Sequence, residues 1–363
     1  MRKYYLDTLR LMAIIFVIFI HVFVIYTFLP YYLKFDIPYP YNSYLSVFVM
    51  FMSVWLMPLL FTIAGITTFY SFKKRSVKEY IKERVLRLLI PFISAVVLLN
   101  PILAYVGMEF HYNIPISFFN YYPTYFTTIT DLTGYTGGLT MGHVWFILYL
   151  FIVSIIGLVV IKLVKDRIDL SNKELSLPIL ILLGLIPVIA YPFLNTFVDH
   201  SIGMYVVLFL LGYYVLSQDN IMEKLENNKI TLGILTAILT VIFLYIAGIV
   251  FGIVPVQPSE TIFTIMMFYQ VFYGWVLILF LLVFGKLFMN KTSNILQYLS
   301  GASFTIYIFH VPILIGIAYY VLQITSNVFL QIILILVLTI PITIAAYAIC
   351  DRFKVTRFLF GIK

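Results

Sequence analysis

The chain alternates between long apolar runs and short polar connections. A membrane-spanning helix needs about 20 predominantly apolar residues, and ten runs approach or exceed this length. The predicted membrane helices are 8–29, 43–71, 86–107, 143–164, 177–194, 202–217, 230–252, 261–288, 303–324 and 328–350. These runs are continuous and do not alternate in ten-residue segments, which excludes a membrane β-barrel. The pattern therefore predicts an all-α polytopic membrane protein with about ten transmembrane helices.

Composition narrows the domain organisation and the chemistry. Of the 363 residues, 63% are hydrophobic and only 10% are charged, outside the usual composition of soluble domains. We predict one transmembrane domain over 1–363, with no attached soluble domain. The single cysteine, Cys350, excludes an intrachain disulfide and a thiolate metal cluster. No metal site is predicted.

The basic residues predict the orientation of the chain. All of the 23 lysines and arginines except Arg10 and Lys34 fall at the two termini, in one set of connections or at the adjoining helix ends. Those connections are 72–85, 165–176, 218–229 and 289–302. The positive-inside rule therefore places them and both termini in the cytoplasm. The net charge of +8 is thus an orientation signal, with membrane lipids and not nucleic acid as the expected partner.

Arg10 and His21 are the only ionisable residues of the predicted helix 8–29. An arginine inside a membrane helix costs at least ~2.5 kcal/mol on insertion scales, so it usually lines a site. Eleven residues make three turns plus about 20°, which puts both side chains on one face, roughly 16 Å apart along the axis. A fixed cation and a titratable imidazole predict an anion clamp and a general base. The alternative is a pair of buried polar groups bonded to neighbouring helices.

A second pair of arginines lies where the predicted helix 86–107 begins. Arg84 and Arg87 are three residues apart, which predicts a common helical face. Two guanidinium groups at a cytoplasmic interface suit phosphates. The preceding charges from Lys73 to Lys82 are interpreted as orientation signals.

Two further histidines are candidates for a site. His143 starts the predicted helix 143–164, where it binds an acceptor or caps the helix at the interface. His310, in the predicted helix 303–324, is expected about two turns inside the bilayer, as a site residue or a buried core histidine. None of the predicted spans has an aspartate or glutamate well inside, which disfavours a proton-coupled transporter and leaves His21 without a carboxylate to orient it.

The long connection 108–142 is rich in aromatic residues, including Tyr121 and Tyr125. Aromatic faces with polar neighbours suit sugar rings. An interfacial aromatic belt is the alternative interpretation.

Several blocks of the sequence occur in an order that is specific as a set. They are Tyr5–Arg10 with His21 eleven residues on from Arg10, Met57–Gly65, Lys82–Pro91, His143–Tyr149, Ala302–Pro312 and Arg357–Gly361. In this order they resemble the membrane acyltransferase 3 family and, within it, the glucan biosynthesis protein C branch. Branch members carry a second histidine beside the position of His310, where this chain has Val311.

The resemblance implies a membrane O-acyltransferase that moves an acetyl or succinyl group from cytoplasmic acyl-coenzyme A to a hydroxyl of an extracytoplasmic glycan. His21 and Arg10 are then the catalytic residues, with His21 as base or as nucleophile. The residues expected at the donor are Arg10, Arg84, Arg87 and His310, and those expected at the acceptor are His143, Trp145 and Tyr149. An exporter of a glycan or a lipid-linked sugar is the alternative, and association with further copies of the chain is left open.

Overall fold

The computed structural model describes residues 3–29, 31–113, 115–131, 134–164, 168, 170, 173–194 and 200–362. In these residues the chain forms sixteen α-helices, and the one strand pairing is an isolated bridge between Ile129 and Leu139. The helices are α1 (Tyr4–Phe23), α2 (Tyr41–Phe72), α3 (Val77–Arg84), α4 (Ile90–Leu98), α5 (Asn100–Tyr112), α6 (Phe118–Tyr121), α7 (Trp145–Val164), α8 (Leu177–Leu182), α9 (Leu185–Ala190), α10 (Ile202–Leu211), α11 (Asp219–Asn227), α12 (Lys229–Val250), α13 (Glu260–Phe288), α14 (Asn294–Ile324), α15 (Val328–Cys350) and α16 (Lys354–Leu359). The prediction of an all-α polytopic membrane protein is confirmed.

Eight helical stretches of the described chain are long and apolar enough to cross a membrane. They are Tyr4–Tyr26, Tyr41–Phe72, Val77–Tyr112, Gly142–Val164, Lys229–Val250, Glu260–Phe288, Asn294–Ile324 and Val328–Cys350. The predicted segments 177–194 and 202–217 hold shorter helices. Leu177–Ala190 divides into α8 and α9, since Pro187 has no N–H to donate to Leu183, and Ile202–Leu216 meets α11 at 90°.

Two helices begin earlier than their apolar runs indicate. α1 begins at Tyr4 and not at residue 8, so Asp7 lies in its first turn. α14 begins at Asn294 and not at residue 303. Hydropathy marks the apolar part of a helix, whereas its backbone hydrogen bonds continue into the polar residues beside it. The cytoplasmic location of both termini stays a prediction. Four of the basic residues on which this prediction rests lie outside the described residues, namely Arg2, Lys165, Arg167 and Lys363.

Contacts divide the chain into two compact units. The first unit comprises Met1–Ala13, Met50–Arg84 and Tyr149–Leu296, and the second comprises Ile14–Val49, Val85–Leu148 and Gln297–Lys363. In the first unit α2 and α10 approach closely at Gly65 and Gly212, where a Cβ would collide with the backbone carbonyls of Phe209 and Thr62. Small residues permit such close helix packing in membranes. That 1–363 forms a single domain stays a prediction.

In the second unit, the connection between α5 and α7 builds a small core of its own. Tyr121 and Tyr125 are buried there with Ala104. The Tyr121 hydroxyl donates to the Gly137 carbonyl at 2.6 Å, and the Tyr125 hydroxyl donates to the Thr140 carbonyl at 3.2 Å. Burial raises the pKa of Tyr125 to about 12, so its phenol remains a neutral donor. These two buried rings therefore form neither a sugar-binding face nor an interfacial aromatic belt. Their core supports the segment of chain that leads to His143.

Candidate active site

Three histidines from distant parts of the sequence meet in the second unit. The ring centroids of His21 and His310 are 5.1 Å apart, those of His143 and His310 are 5.4 Å apart, and those of His21 and His143 are 6.5 Å apart. The three rings come from the last turn of α1, from the 3-10 turn before α7, and from α14. The sequence predicted a site role for each of them, and the fold brings them together.

Tyr31 orients His21. The Tyr31 hydroxyl lies 2.9 Å from Nδ1 of His21, and the two rings stack with centroids 5.7 Å apart. Burial, with a smaller contribution from Tyr32, raises the pKa of the Tyr31 phenol well above its usual value of 10. A neutral phenol both donates and accepts, so when it accepts from Nδ1–H it leaves Nε2 of His21 unprotonated. This tyrosine supplies an orienting group for His21, for which the sequence offered no carboxylate.

Helix α14 holds His143 through two reciprocal hydrogen bonds. Nε2 of His143 donates to the Ile308 carbonyl at 2.8 Å, and the Tyr307 hydroxyl donates to the His143 carbonyl. His143 is only 4% exposed. Because its ring is buried and bonded to another helix, His143 is not a cap at the interface.

Gly142 allows the turn that presents His143. Its φ is +49°, in the left-handed region, and a Cβ at this position would lie 2.5 Å from the Tyr32 hydroxyl. Asn100 supports the same turn by donating to the Thr140 carbonyl at 2.8 Å. Backbone conformation and space therefore both require glycine at this position.

His310 lies in the middle of α14. The helix begins at Asn294, sixteen residues earlier, which is ~24 Å along the axis. The predicted helix start at residue 303 was wrong because the start of the apolar run was taken as the start of the helix, whereas the depth of His310 in the bilayer stays a prediction. The side chain is fully buried, and Nδ1 donates to the Tyr307 carbonyl at 2.7 Å. The fold groups His310 with His143, whereas the sequence assigned it to the donor.

Arg10 has a carboxylate partner on its own helix. Its Nη1 lies 3.3 Å from Oδ1 of Asp7, with side chains 33% and 21% exposed. The sequence left Asp7 outside the span, but α1 begins at Tyr4, so the two residues share one face. The helix therefore carries a third charged side chain, Asp7, which precedes the apolar segment of Arg10 and His21. A phosphate at Arg10 would share its charge with Asp7.

A π-helical turn, Val85–Leu89, begins directly after Arg84 and carries Arg87. The common face of Arg84 and Arg87 was predicted from regular α-helical spacing, which this wider turn does not have, and it stays a prediction. The Arg84 guanidinium lies 4.6 Å from the Tyr80 ring centroid. Among the described residues, Nε of Arg84 is buried without a hydrogen-bond partner. Single π turns are frequent at functional sites.

The two other predicted acceptor residues fall in different units. Trp145 begins α7 in the second unit and packs edge-on against Phe146 at 6.3 Å. Tyr149 belongs to the first unit, where its ring lies 6.3 Å from the rings of His200 and Tyr205. His200 and Tyr205 line a cavity of about 250 Å³ in that unit.

Tyr31 and Tyr307 are the functional candidates that the sequence did not reveal. Tyr307 precedes His310 by three residues and therefore shares its helical face, so spacing was a usable signal. Tyr31 lies in a connection without periodicity and gave no such signal. Where the chain is described, no group of three His, Cys, Asp or Glu residues is arranged to hold a metal ion. The cluster instead offers imidazoles with neutral partners, which suits proton transfer.

The membrane helices and the three converging imidazoles define a polytopic membrane protein with a buried cluster of histidines. A family model described as an acyltransferase domain, acyltransferase 3, matches residues 3–348. The chain belongs to this family, which confirms the resemblance and makes the protein a membrane acyltransferase.

Similar proteins include the glucans biosynthesis protein C of Escherichia coli (strain SMS-3-5 / SECEC) and that of Shigella dysenteriae serotype 1 (strain Sd197). Each is 23% identical over 99% of this chain and 94% of the relative. The protein of the same name from Escherichia coli O139:H28 (strain E24377A / ETEC) is 24% identical with the same coverage. No solved structure matches the chain at a significant level.

Proposed function

We propose that this protein is an acyl-coenzyme A-dependent O-acyltransferase of the cytoplasmic membrane that esterifies a hydroxyl of an extracytoplasmic glycan with an acetyl or succinyl group. The observation that carries the proposal is His21, bonded by Tyr31 and flanked by the rings of His143 and His310. Relatives that are named for glucan biosynthesis support a glucose-based acceptor.

The proposed reaction forms one C–O bond and breaks one C–S bond. Nε2 of His21 takes the proton of the acceptor hydroxyl while the oxygen attacks the thioester carbonyl. The tetrahedral intermediate expels the thiolate of coenzyme A, which receives the proton back from His21. In the alternative, Nε2 of His21 attacks the thioester and expels the thiolate of coenzyme A. The resulting acyl-imidazole gives its acyl group to the glycan hydroxyl, whose proton goes to the thiolate.

Arginines are proposed to hold the donor. Coenzyme A carries several phosphate charges, and Arg10, Arg84 and Arg87 supply guanidinium groups that form strong, paired hydrogen bonds with phosphates. Arg10 precedes His21 by eleven residues, roughly 16 Å along a helix. The pantetheine arm of coenzyme A bridges such a separation between phosphates and thioester.

Acyl transfer from labelled acyl-coenzyme A to glucose oligosaccharides in proteoliposomes tests the proposal. Wild type should transfer the label, and His21→Ala should lose about 10²- to 10⁴-fold in turnover, the usual contribution of a general base. The matched control is His111→Gln, because His111 is exposed and the amide keeps its donor toward the Tyr31 carbonyl. Its turnover should stay within about twofold of wild type, as is usual for surface substitutions.

Two outcomes would contradict the proposal. One is a folded His21→Ala variant with wild-type turnover. The other is a wild-type protein that moves unmodified oligosaccharide across the vesicle without acyl-coenzyme A, which supports the exporter. Rapid quenching separates the two roles of His21, since only the nucleophile gives an acylated enzyme.

A further inference from the structure

Backbone carbonyls set the tautomers of two buried histidines. A carbonyl oxygen only accepts hydrogen bonds, so the ring nitrogen that faces it carries the proton. Nε2 of His143 faces the Ile308 carbonyl at 2.8 Å, so Nδ1 of its neutral ring is unprotonated. Nδ1 of His310 faces the Tyr307 carbonyl at 2.7 Å, so Nε2 of its neutral ring is unprotonated. The two rings therefore carry opposite tautomers.

Both unprotonated nitrogens are buried acceptors. Among the residues that the structure describes, neither Nδ1 of His143 nor Nε2 of His310 has a hydrogen-bond partner. The two residues are 4% and 0% exposed, and a buried acceptor without a partner destabilises a fold. Their rings lie edge to face at 5.4 Å, and both adjoin His21. If His143 and His310 served only in packing, their N–H donors would be accounted for, but their two unpartnered acceptor nitrogens would not.

The chemistry of these atoms selects the ligand. An unprotonated imidazole nitrogen accepts a hydrogen from a hydroxyl and repels the phosphates of a donor. The neighbouring phenols are engaged elsewhere, since Tyr307 donates to the His143 carbonyl and Tyr31 bonds His21. One alcohol brings a single O–H group, whereas two acceptors require two. Hydroxyls on adjacent carbons of a pyranose ring supply both.

We infer that Nδ1 of His143 and Nε2 of His310 bind two neighbouring hydroxyls of the acceptor and so present its sugar ring to His21. The inference rests on the proposed function and names its acceptor class, a pyranose with a vicinal diol. It assigns His310 to the acceptor, although the sequence placed it at the donor. Both histidines act as binding residues, and the proton of the reacting hydroxyl goes to His21.

Substituting glutamine or asparagine for each histidine separates its hydrogen bond to the backbone from the nitrogen that is proposed to bind the sugar. His143→Gln keeps a donor toward the Ile308 carbonyl and deletes the acceptor at Nδ1. His310→Asn keeps a donor toward the Tyr307 carbonyl and deletes the acceptor at Nε2. The converse variants, His143→Asn and His310→Gln, keep an acceptor and lose the backbone bond.

Calorimetric titration of the purified protein with methyl glucoside, without acyl-coenzyme A, measures binding alone. The first pair of variants should bind roughly tenfold more weakly than wild type, the usual effect of losing one hydrogen bond at a buried group, with an unchanged midpoint of thermal unfolding. The converse pair should lose thermal stability while retaining affinity in the folded fraction. Wild-type affinity in the first pair overturns the inference, and so does a wild-type protein that binds no methyl glucoside.

A competition experiment tests the diol. trans-1,2-Cyclohexanediol should displace methyl glucoside, whereas cyclohexanol at the same concentration should not, and equal displacement by both overturns the diol class.

Nitrogen-15 shifts of labelled histidines should show Nε2–H in His143 and Nδ1–H in His310, and equal tautomers overturn the assignment. Because none of these measurements uses a donor, a wild-type protein that binds the sugar but transfers no acyl group contradicts the proposed function alone.

Discussion

The histidines and the arginines of this protein are held in place in different ways. His143 and α14 exchange two hydrogen bonds through Tyr307 and Ile308, more than 160 residues away in the sequence. His21 bonds Tyr31, which lies outside its helix. Residues outside their own elements therefore position His143 and His21, whereas His310 bonds the Tyr307 carbonyl of its own helix.

Two of the arginines have contacts with near neighbours in the sequence. Arg10 pairs with Asp7 three residues earlier, and Arg84 stacks on Tyr80 four residues earlier. Such contacts form within one helix and survive changes elsewhere in the fold. We therefore expect substitutions around the histidines to disturb the whole site, whereas substitutions at the arginines should alter donor binding locally and in a salt-dependent way.

Among the residues that support the site, the largest expected effect is that of Gly142→Ala. A left-handed alanine costs roughly 1–2 kcal/mol, and crowding against Tyr32 adds about 1–3 kcal/mol. Displacing His143 by about 1 Å should also reduce turnover on the order of 10²-fold. Thermal unfolding and acyl transfer measure the two effects. The control is Gly316→Ala in α14, where an added Cβ meets no described atom within 4 Å. Equal behaviour of both variants would show that the turn does not need glycine.

The next largest effect is expected for Arg10→Ala, which should bind the donor more weakly. Loss of a charge-assisted hydrogen bond to phosphate should raise KM for acyl-coenzyme A roughly ten- to a hundredfold. Asp7→Asn tests whether the pair is structural, because it removes the carboxylate that competes with phosphate for Arg10. KM should fall or stay unchanged in Asp7→Asn. A rise equal to that in Arg10→Ala would show that the ion pair only stabilises the helix.

Arg84→Ala should have a smaller effect, since this side chain is partly exposed and screened by salt. We expect KM for acyl-coenzyme A to rise roughly five- to tenfold, with kcat retained at saturating donor. Lys78→Ala is the matched control, because Lys78 is an exposed cation on the same helix, α3. A rise of the same size in both variants would indicate general charge attraction in place of a phosphate site. The measurement is a donor titration at low and at high salt.

The fold class and the three histidines were accessible from the sequence for one physical reason. Hydropathy and ionisable residues in apolar runs are visible in spacing alone, because the membrane penalises both unpaired backbone and charge. Helix ends are less visible, since α14 continues through polar residues back to Asn294. The π turn Val85–Leu89, which carries Arg87, also leaves no pattern in residue spacing or hydropathy.

Tyr31 could not be identified from residue spacing or hydropathy. Its contact with His21 depends on the path of the connection between α1 and α2, and neither residue spacing nor hydropathy encodes that path. The partner of a predicted catalytic histidine could therefore only come from the fold.

The smallest expected effect is that of Tyr31→Phe. Removing one neutral hydrogen bond should lower kcat about two- to tenfold while KM for the donor is kept. The control is Tyr26→Phe, because among the described residues the buried Tyr26 hydroxyl has no hydrogen-bond partner, so its loss should not lower stability or kcat. Equal losses in both variants would mean that Tyr31 only fills space.

The pH dependence of stability sharpens the same comparison. The pKa of Tyr31 is raised well above 10 in the folded protein, so folded and unfolded chains hold the same phenolic proton between about pH 5 and 9. Above the unfolded value of about 10, only the unfolded chain loses that proton, and wild-type stability should fall as the pH rises. The difference in unfolding midpoint between wild type and Tyr31→Phe should therefore be constant up to about pH 9 and shrink above it. A difference that already changes near pH 7 would mean that Tyr31 acts through the charge of His21.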